Sequence, residues 1–281
     1  MNEIGEERTR TSFLLEDDER ILVDCGPDVR QHMRAHQLKC PDAVLITHEH
    51  ADHFLGLDEL LAYRRALPAD QWRPLPVYAT EQTWESVGAR FGYLVGSLIE
   101  KRIAIPGQPL DGLRLRVTPF KTYHGPSAAG SVGYVIESSK ERTAIKIVYT
   151  SDFVRIDHEP DILQEPDVLI IQAHWLNEPT LNRPNHMSFQ NALDYIARWK
   201  PKKATLLVHM SDGEPIPGDP HNTALKKLAP ESPLTDAHGR PYPVPRCHDE
   251  WQTVVEDIRK QHGLPCPITV ARDGMARDFT E

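Results

Sequence analysis

Ala43-Val44-Leu45-Ile46-Thr47-His48-Glu49-His50-Ala51-Asp52-His53 is the stretch on which the reading of this chain turns. An apolar run of strand type stops abruptly, and three imidazoles and the Asp52 carboxylate follow within six residues. Histidine and carboxylate suit borderline and hard divalent cations such as Zn²⁺, Mn²⁺ and Fe²⁺. His48 and His50 are two apart, so on an extended segment their rings leave the same face and can meet one ion. Asp52 and His53 come after the chain begins to turn and can serve a second ion beside the first. Two adjacent ions sit roughly 3.5–4 Å apart and need about four to six protein ligands, so others must come from elsewhere. A lone histidine is usually solvated or hydrogen-bonded; a cluster of this kind is not explained that way.

The chain has 281 residues, 41 acidic against 32 basic, and a formal net charge of −9. That length supports one large domain, taken here as residues 1–281, with a substantial core. The acidic balance argues against a broad nucleic-acid footprint. Met1-Asn2-Glu3-Ile4-Gly5-Glu6-Glu7-Arg8 carries no apolar signal core, and no apolar run reaches membrane-spanning length. A soluble, cytoplasmic protein with no membrane partner is expected. Cys25, Cys40, Cys247 and Cys266 form no C-x-x-C pair and read as free thiols, with Cys25 a small buried residue.

Upstream of the opening stretch, residues 11–24 read as a β-hairpin turning at Asp17-Asp18-Glu19-Arg20, and Val29 to His36 as a helix. Downstream, a helical pattern runs from Asp58 to about Leu67, and Val77-Tyr78-Ala79 is a short strand. Thr80 is an N-cap for a helix through Phe91. Arg64, Arg65, Arg73 and Arg90 read as solvated helix faces. Leu113 to Phe120 alternates as a half-buried strand and leads to His124, the natural third ligand for the ion of His48 and His50.

Strands over 133–137 and 144–150 follow, the second running into Asp152, whose two oxygens can bridge two cations. Asp167 to Ile171 is a buried strand ending in His174-Trp175, candidate substrate contacts on the same edge. Ser188 is an N-cap, and the strand 203–208 ends in His209. Strand after strand thus finishes in a potential ligand, as expected of an active site at one edge of an α/β sheet. Residues 211–245 read as an irregular surface insertion. A helix over 250–261, a strand over 267–271 and a turn at Asp273 close the chain; Asp273 is a candidate for orienting a metal-binding histidine.

The order His48-x-His50-x-Asp52-His53, His124, Asp152, His209 resembles the metallo-β-lactamase fold superfamily in its dinuclear hydrolase form. The resemblance implies an α/β, four-layer αβ/βα sandwich. It implies that His48, His50 and His124 hold one ion and Asp52, His53 and His209 the other, bridged by Asp152, with Zn²⁺ or Mn²⁺ expected and iron compatible. Arg10-Thr11-Ser12-Phe13-Leu14-Leu15 and Val23-Asp24-Cys25-Gly26-Pro27-Asp28 look most like the PhnP-type phosphodiesterases, which act on small cyclic phosphodiesters including phosphoribosyl 1,2-cyclic phosphate. His186-Met187-Ser188 before a helix resembles the extra histidine that these enzymes share with transfer-RNA 3′-processing endonucleases. Carried over, His186 protonates the leaving oxygen, and His186 and Asp52 are the candidate catalytic residues. The family's first strand, with its Thr-Gly-Thr signature, is missing or divergent before Glu3, and Asp212 stands where relatives place a further histidine. The insertion at 211–245 is a third departure.

Two cations sharing a water lower its pKa from about 15.7 toward 7 and neutralise a phosphodiester's non-bridging oxygens. An imidazole near its usual pKa of about 6.5 can supply the leaving group's proton. The expectation is therefore a metal-dependent phosphodiesterase acting by hydroxide attack on a small cyclic or nucleotide-like diester. The competing readings are a transfer-RNA 3′-endonuclease and a non-hydrolytic metal-dependent accessory or binding protein. A homodimer stays open.

Overall fold

Phe13–Glu16 (β1) and Arg20–Val23 (β2) pair antiparallel, as the alternating apolar runs around Asp17-Asp18-Glu19 require. The computed structural model describes residues 6, 8–138, 144–183, 185–211, 213–220, 222 and 230–279. They fall into two compact units, Thr9–Ala144 and Met1–Arg8 with Ile145–Glu281.

In Thr9–Ala144, β2 leads through Val29–Ala35 (α1) to Ala43–Leu45 (β3), which lies parallel to β2. The chain then makes the short helix Ala51–Phe54 (α2) and the helix Leu60–Arg65 (α3). Leu75–Ala79 (β4), Glu81–Phe91 (α4) and Ile99–Ile103 (β5) follow, giving a five-stranded sheet of order β1-β2-β3-β4-β5. Only the hairpin is antiparallel; β2 to β5 are parallel neighbours. Thr80 caps α4 as expected, its side chain accepting from the Thr83 N–H. Val44, Ile46, Val77, Trp84, Val87 and Phe91 are buried in one apolar cluster. Arg116–Lys121 (β6) and Val132–Glu137 (β7) pair antiparallel. β6 starts later than its alternation suggests, because the Arg114 and Leu115 N–H groups both donate to Glu19 Oε1, at 2.7 and 2.8 Å.

In the second unit Lys146–Tyr149 (β8), Val168–Gln172 (β9), Ala204–Val208 (β10) and Ile268–Val270 (β11) run parallel, each paired with the next. Phe189–Trp199 (α5) is capped by Ser188, which accepts from the Asn191 N–H, and His248–Gln261 (α6) precedes β11. The segment expected to be irregular contributes no helix or strand element among its described residues, yet it is anchored: buried Glu214 accepts from the Leu176 N–H at 2.8 Å and the Asn177 N–H at 3.2 Å. Asp212 lies outside the described residues, as do residues 1–5, where the family's first strand is looked for.

Within each unit the parallel strands of a sheet end at a common edge, and at three of these strand ends the backbone is strained. Asp24 after β2, Ser151 after β8 and His209 after β10 each have φ of 58°. Non-glycine residues pay about 1–3 kcal/mol for such a conformation, which concentrates at functional sites. All four cysteines are free, and burial pushes the Cys25 thiol well above its usual range. No helix among the described residues is long and apolar enough to cross a membrane.

Candidate metal centre

The loop after β3 is fixed by its neighbours before any ligand is considered. Ile46 N–H donates to Tyr78 O at 2.8 Å, Val132 N–H donates to Thr47 O at 3.0 Å, and the Tyr134 hydroxyl donates to Ile46 O at 2.9 Å. The turn after β2 docks on the same loop, with Cys25 N–H donating to His53 O at 2.7 Å. The approach is so close that a Cβ on Gly26 would stand 2.1 Å from Asp52 O. Only glycine fits there.

On this frame His48, His50 and His124 come together, with one ligand nitrogen from each within 4.8 Å of the others. His124 Nε2 lies 3.2 Å from His50 Nδ1, and the three ring centroids are 4.7–4.9 Å apart. Three converging imidazoles, two of them buried, are the donor set that zinc and similar ions take, so this set fits a divalent cation. Glu49, pointing the other way, ties two of the loops together: its carboxylate accepts from the Gly130 N–H at 3.0 Å and the Thr83 hydroxyl at 3.2 Å. It thereby fastens the His48–His50 segment to the loop that carries His124.

Asp52 and His53 sit on α2, with the His53 ring centroid 4.0 Å from that of His48 and Asp52 Oδ2 3.5 Å from His53 Nε2. The opposite nitrogen, His53 Nδ1, is 2.8 Å from Oδ2 of fully buried Asp24. Asp24 also accepts from the Thr47 N–H at 2.9 Å, and the Thr47 hydroxyl lies 3.0 Å from both its oxygens. Burial pushes the Asp24 carboxyl up, opposed by His53 and by the hydrogen bonds from Thr47. A carboxylate on Nδ1 holds His53 with Nε2 available, the orientation a ligating histidine needs.

In the second unit Asp152 is buried after β8, and its Oδ2 lies 3.0 Å from His209 Nε2 and 3.7 Å from His186 Nδ1. His174, His186 and His209 are mutual neighbours; His174 Nδ1 is 3.1 Å from His209 Nδ1, and its ring stacks on His186 at 4.2 Å. Trp175 is fully buried with its ring edge-on to His174. Asp273 is exposed in the turn after β11.

Gln172, at the end of β9 and fully buried, sets the orientation of His186. Its Oε1 accepts from the Phe153 N–H at 2.9 Å and the Met187 N–H at 3.1 Å. Its amide nitrogen must then face His186 Nδ1, 2.6 Å away, and donate to it. A flipped amide would oppose donors to two backbone N–H groups, so the assignment follows from the bonds themselves. His186 accepts at Nδ1 and carries its proton on Nε2.

Asp24, Glu49 and Gln172 are residues that sequence reasoning did not assign. The quoted Val23-Asp24-Cys25-Gly26 segment was the one signal available for Asp24.

The family model described as "Beta-lactamase superfamily domain" matches residues 19–210. Among curated proteins, an octanoyltransferase of Porphyromonas gingivalis is 29% identical over 235 residues, covering 80% of this chain and 43% of that protein. This chain spans 43–66% of the length of that relative and the next two. Among solved structures, a diphosphatase from the PhnP family superposes with a TM-score of 0.65 at 24% identity, over 97% of this chain and 85% of that one. The short form of human tRNase Z superposes with a TM-score of 0.60 at 16% identity, over 96% and 92%. These likenesses establish the fold, the α/β metallo-β-lactamase fold that the histidine motif implies.

Proposed function

The chain belongs to the β-lactamase superfamily, and on that premise we propose that it is a metal-dependent phosphodiesterase acting on a small cyclic or nucleotide-like diester. The observation that carries this reading is the convergence of His48, His50 and His124, one ligand nitrogen from each within 4.8 Å of the others. In this reading they would hold one divalent ion, Asp52, His53 and His209 would hold another, and Asp152 would be available to both. Bound cations supply Lewis-acid charge at phosphoryl oxygens and a lowered water pKa.

The protein's own groups supply orientation and hydrogen bonds. Asp24 keeps His53 in the ligating tautomer, and Glu49 holds the His124 loop against the His48–His50 segment. His186 presents Nε2–H because Gln172 donates to its Nδ1. That proton is directed to the leaving oxygen, where a donor stabilises charge as it develops. With the Gln172 amide held by two backbone N–H groups, His186 is a neutral hydrogen-bond donor through Nε2 in place of the proton donor that the resemblance implies. Asp52 would act as an ion ligand.

The test is turnover of bis-p-nitrophenyl phosphate, a panel of cyclic phosphodiesters and a nucleoside diphosphate by zinc- or manganese-loaded protein. The nucleoside diphosphate is included because the PhnP-family neighbour is a diphosphatase. Expected is diester hydrolysis that His186→Ala lowers about 100-fold in kcat, with KM little changed. Absence of diester hydrolysis by fully loaded protein would exclude the reading. Cleavage of precursor transfer RNA in its place would favour the endonuclease alternative, against which the net charge of −9 argues.

A further inference from the structure

His174 stands two residues beyond β9, held by its backbone on both sides. Its N–H donates to Met187 O at 2.7 Å, and its carbonyl accepts from the Ser211 N–H at 3.0 Å. The side chain faces two residues of the proposed site at once. Nδ1 is 3.1 Å from His209 Nδ1, and the ring lies on His186 with centroids 4.2 Å apart and planes 15° from parallel.

The first question is whether His174, His186 and His209 are themselves an ion cage, since one ligand atom from each lies within 4.8 Å of the others. Ring geometry argues otherwise. A histidine lone pair lies in the ring plane, and two stacked, nearly parallel rings direct theirs along separate parallel planes. An ion on the lone pair of one ring would lie off that of the other. The stack fits packing of one imidazole on another, with His174 supporting His186.

Two Nδ1 atoms at 3.1 Å share one proton, so one donates and the other accepts. The other nitrogen of His209 decides which. Its Nε2 is 3.0 Å from Asp152 Oδ2, directed at the carboxylate that both ions would share. A histidine that ligates through Nε2 carries its proton on Nδ1. With an ion on Nε2, His209 donates from Nδ1 and His174 accepts. The same task at His53 falls to buried Asp24 at 2.8 Å. One ligand of the second ion is thus oriented by a carboxylate and the other by an imidazole.

We propose that His174 is a positioning residue of this centre: its Nδ1 accepts the Nδ1–H of His209 and sets the tautomer that leaves Nε2 for the ion, while its ring fixes the plane of His186. This rests on the dinuclear reading above. It assigns His174 a role directed at two site residues instead of at substrate.

The experiment uses the full chain as wild type, His174→Asn and His174→Phe. Asparagine places an acceptor oxygen where Nδ1 was; phenylalanine keeps a ring for the stack but cannot accept. Zinc is titrated in competition with a chelator, and the histidine tautomers of zinc-loaded wild type are read from nitrogen-15 NMR. Expected are two equivalents in wild type, His209 protonated on Nδ1, and affinities for His174→Asn within about threefold of wild type. In His174→Phe one ion should be weakened by about 10–100-fold, the usual effect of losing an outer hydrogen-bond partner. Wild-type affinity in His174→Phe, equal losses in both variants, or His209 protonated on Nε2 would each overturn the inference. The NMR result requires no variant to fold. Fewer than two equivalents in wild type would instead remove the dinuclear reading and this inference with it, whereas two equivalents with an unaffected His174→Phe would remove this inference alone.

Discussion

Replacing Asp24 by asparagine exchanges one oxygen for an NH₂ group and should disable His53 as a ligand. Asp24 Oδ1 receives the Thr47 N–H at 2.9 Å, so the asparagine carbonyl keeps that place. The new NH₂ then occupies the position of Oδ2, 2.8 Å from His53 Nδ1. It can only donate, so His53 must accept at Nδ1 and move its proton to Nε2. There the proton faces Asp52 Oδ2, 3.5 Å away, and both side chains are diverted from an ion. Loss of one ion's affinity by about 10–100-fold follows, equivalent to about 1.4–2.7 kcal/mol. Folding should suffer little, because every buried donor retains an acceptor. Asp24→Ala is the contrast. It leaves the Thr47 N–H and His53 Nδ1–H without this acceptor in a fully buried site. Breaking a buried pair of this kind costs about 3–5 kcal/mol. At roughly 2 °C per kcal/mol for a chain of this length, Tm should fall by about 6–10 °C. Chelator-competition titration and thermal unfolding of both variants make the assay. Two ions held by Asp24→Asn within threefold of wild type would refute the tautomer reasoning.

Glu49→Ala removes the acceptor of the Gly130 N–H and should weaken the His48–His50–His124 ion about tenfold, measured by the same titration, while Glu49→Gln, which keeps one acceptor oxygen, should lose less. Gly26→Ala places a methyl 2.1 Å from a backbone oxygen and should destabilise the fold by at least about 3 kcal/mol in denaturant unfolding; a change below 1 kcal/mol would contradict the close approach. Glu214 is held above its usual carboxyl range by burial. Its stabilising contribution is therefore full below the unfolded value of 4.5 and declines as pH rises through the folded value. The stability difference between wild type and Glu214→Gln should shift against wild type as pH increases from 4.5, and a difference independent of pH would exclude this.

Much of this was legible in the chain itself. The spacing of His48, His50, Asp52 and His53 is a local signal, as are the apolar run before Thr47 and the caps Thr80 and Ser188, and the structure realises that run as β3 and both caps. β5 was not, because Glu100, Lys101 and Arg102 interrupt its apolar ends and its partner β4 lies more than twenty residues back. Asp24 sits in a turn, where aspartate is ordinary; its function depends on a histidine 29 residues away. Gln172 looks like the polar end of a buried strand until Phe153 and Met187 are seen to occupy its carbonyl. The left-handed backbone at Asp24, Ser151 and His209 has no residue signature, since none is glycine. Such features come from tertiary contacts, which periodicity cannot express.

The most direct measurement is the metal content of the full chain, purified without chelator and then titrated to saturation with zinc. Two equivalents per chain are expected, one of them lost in His124→Ala and the other in His53→Ala. Saturation at one equivalent or none, or loss of the same ion in both variants, would contradict a paired centre.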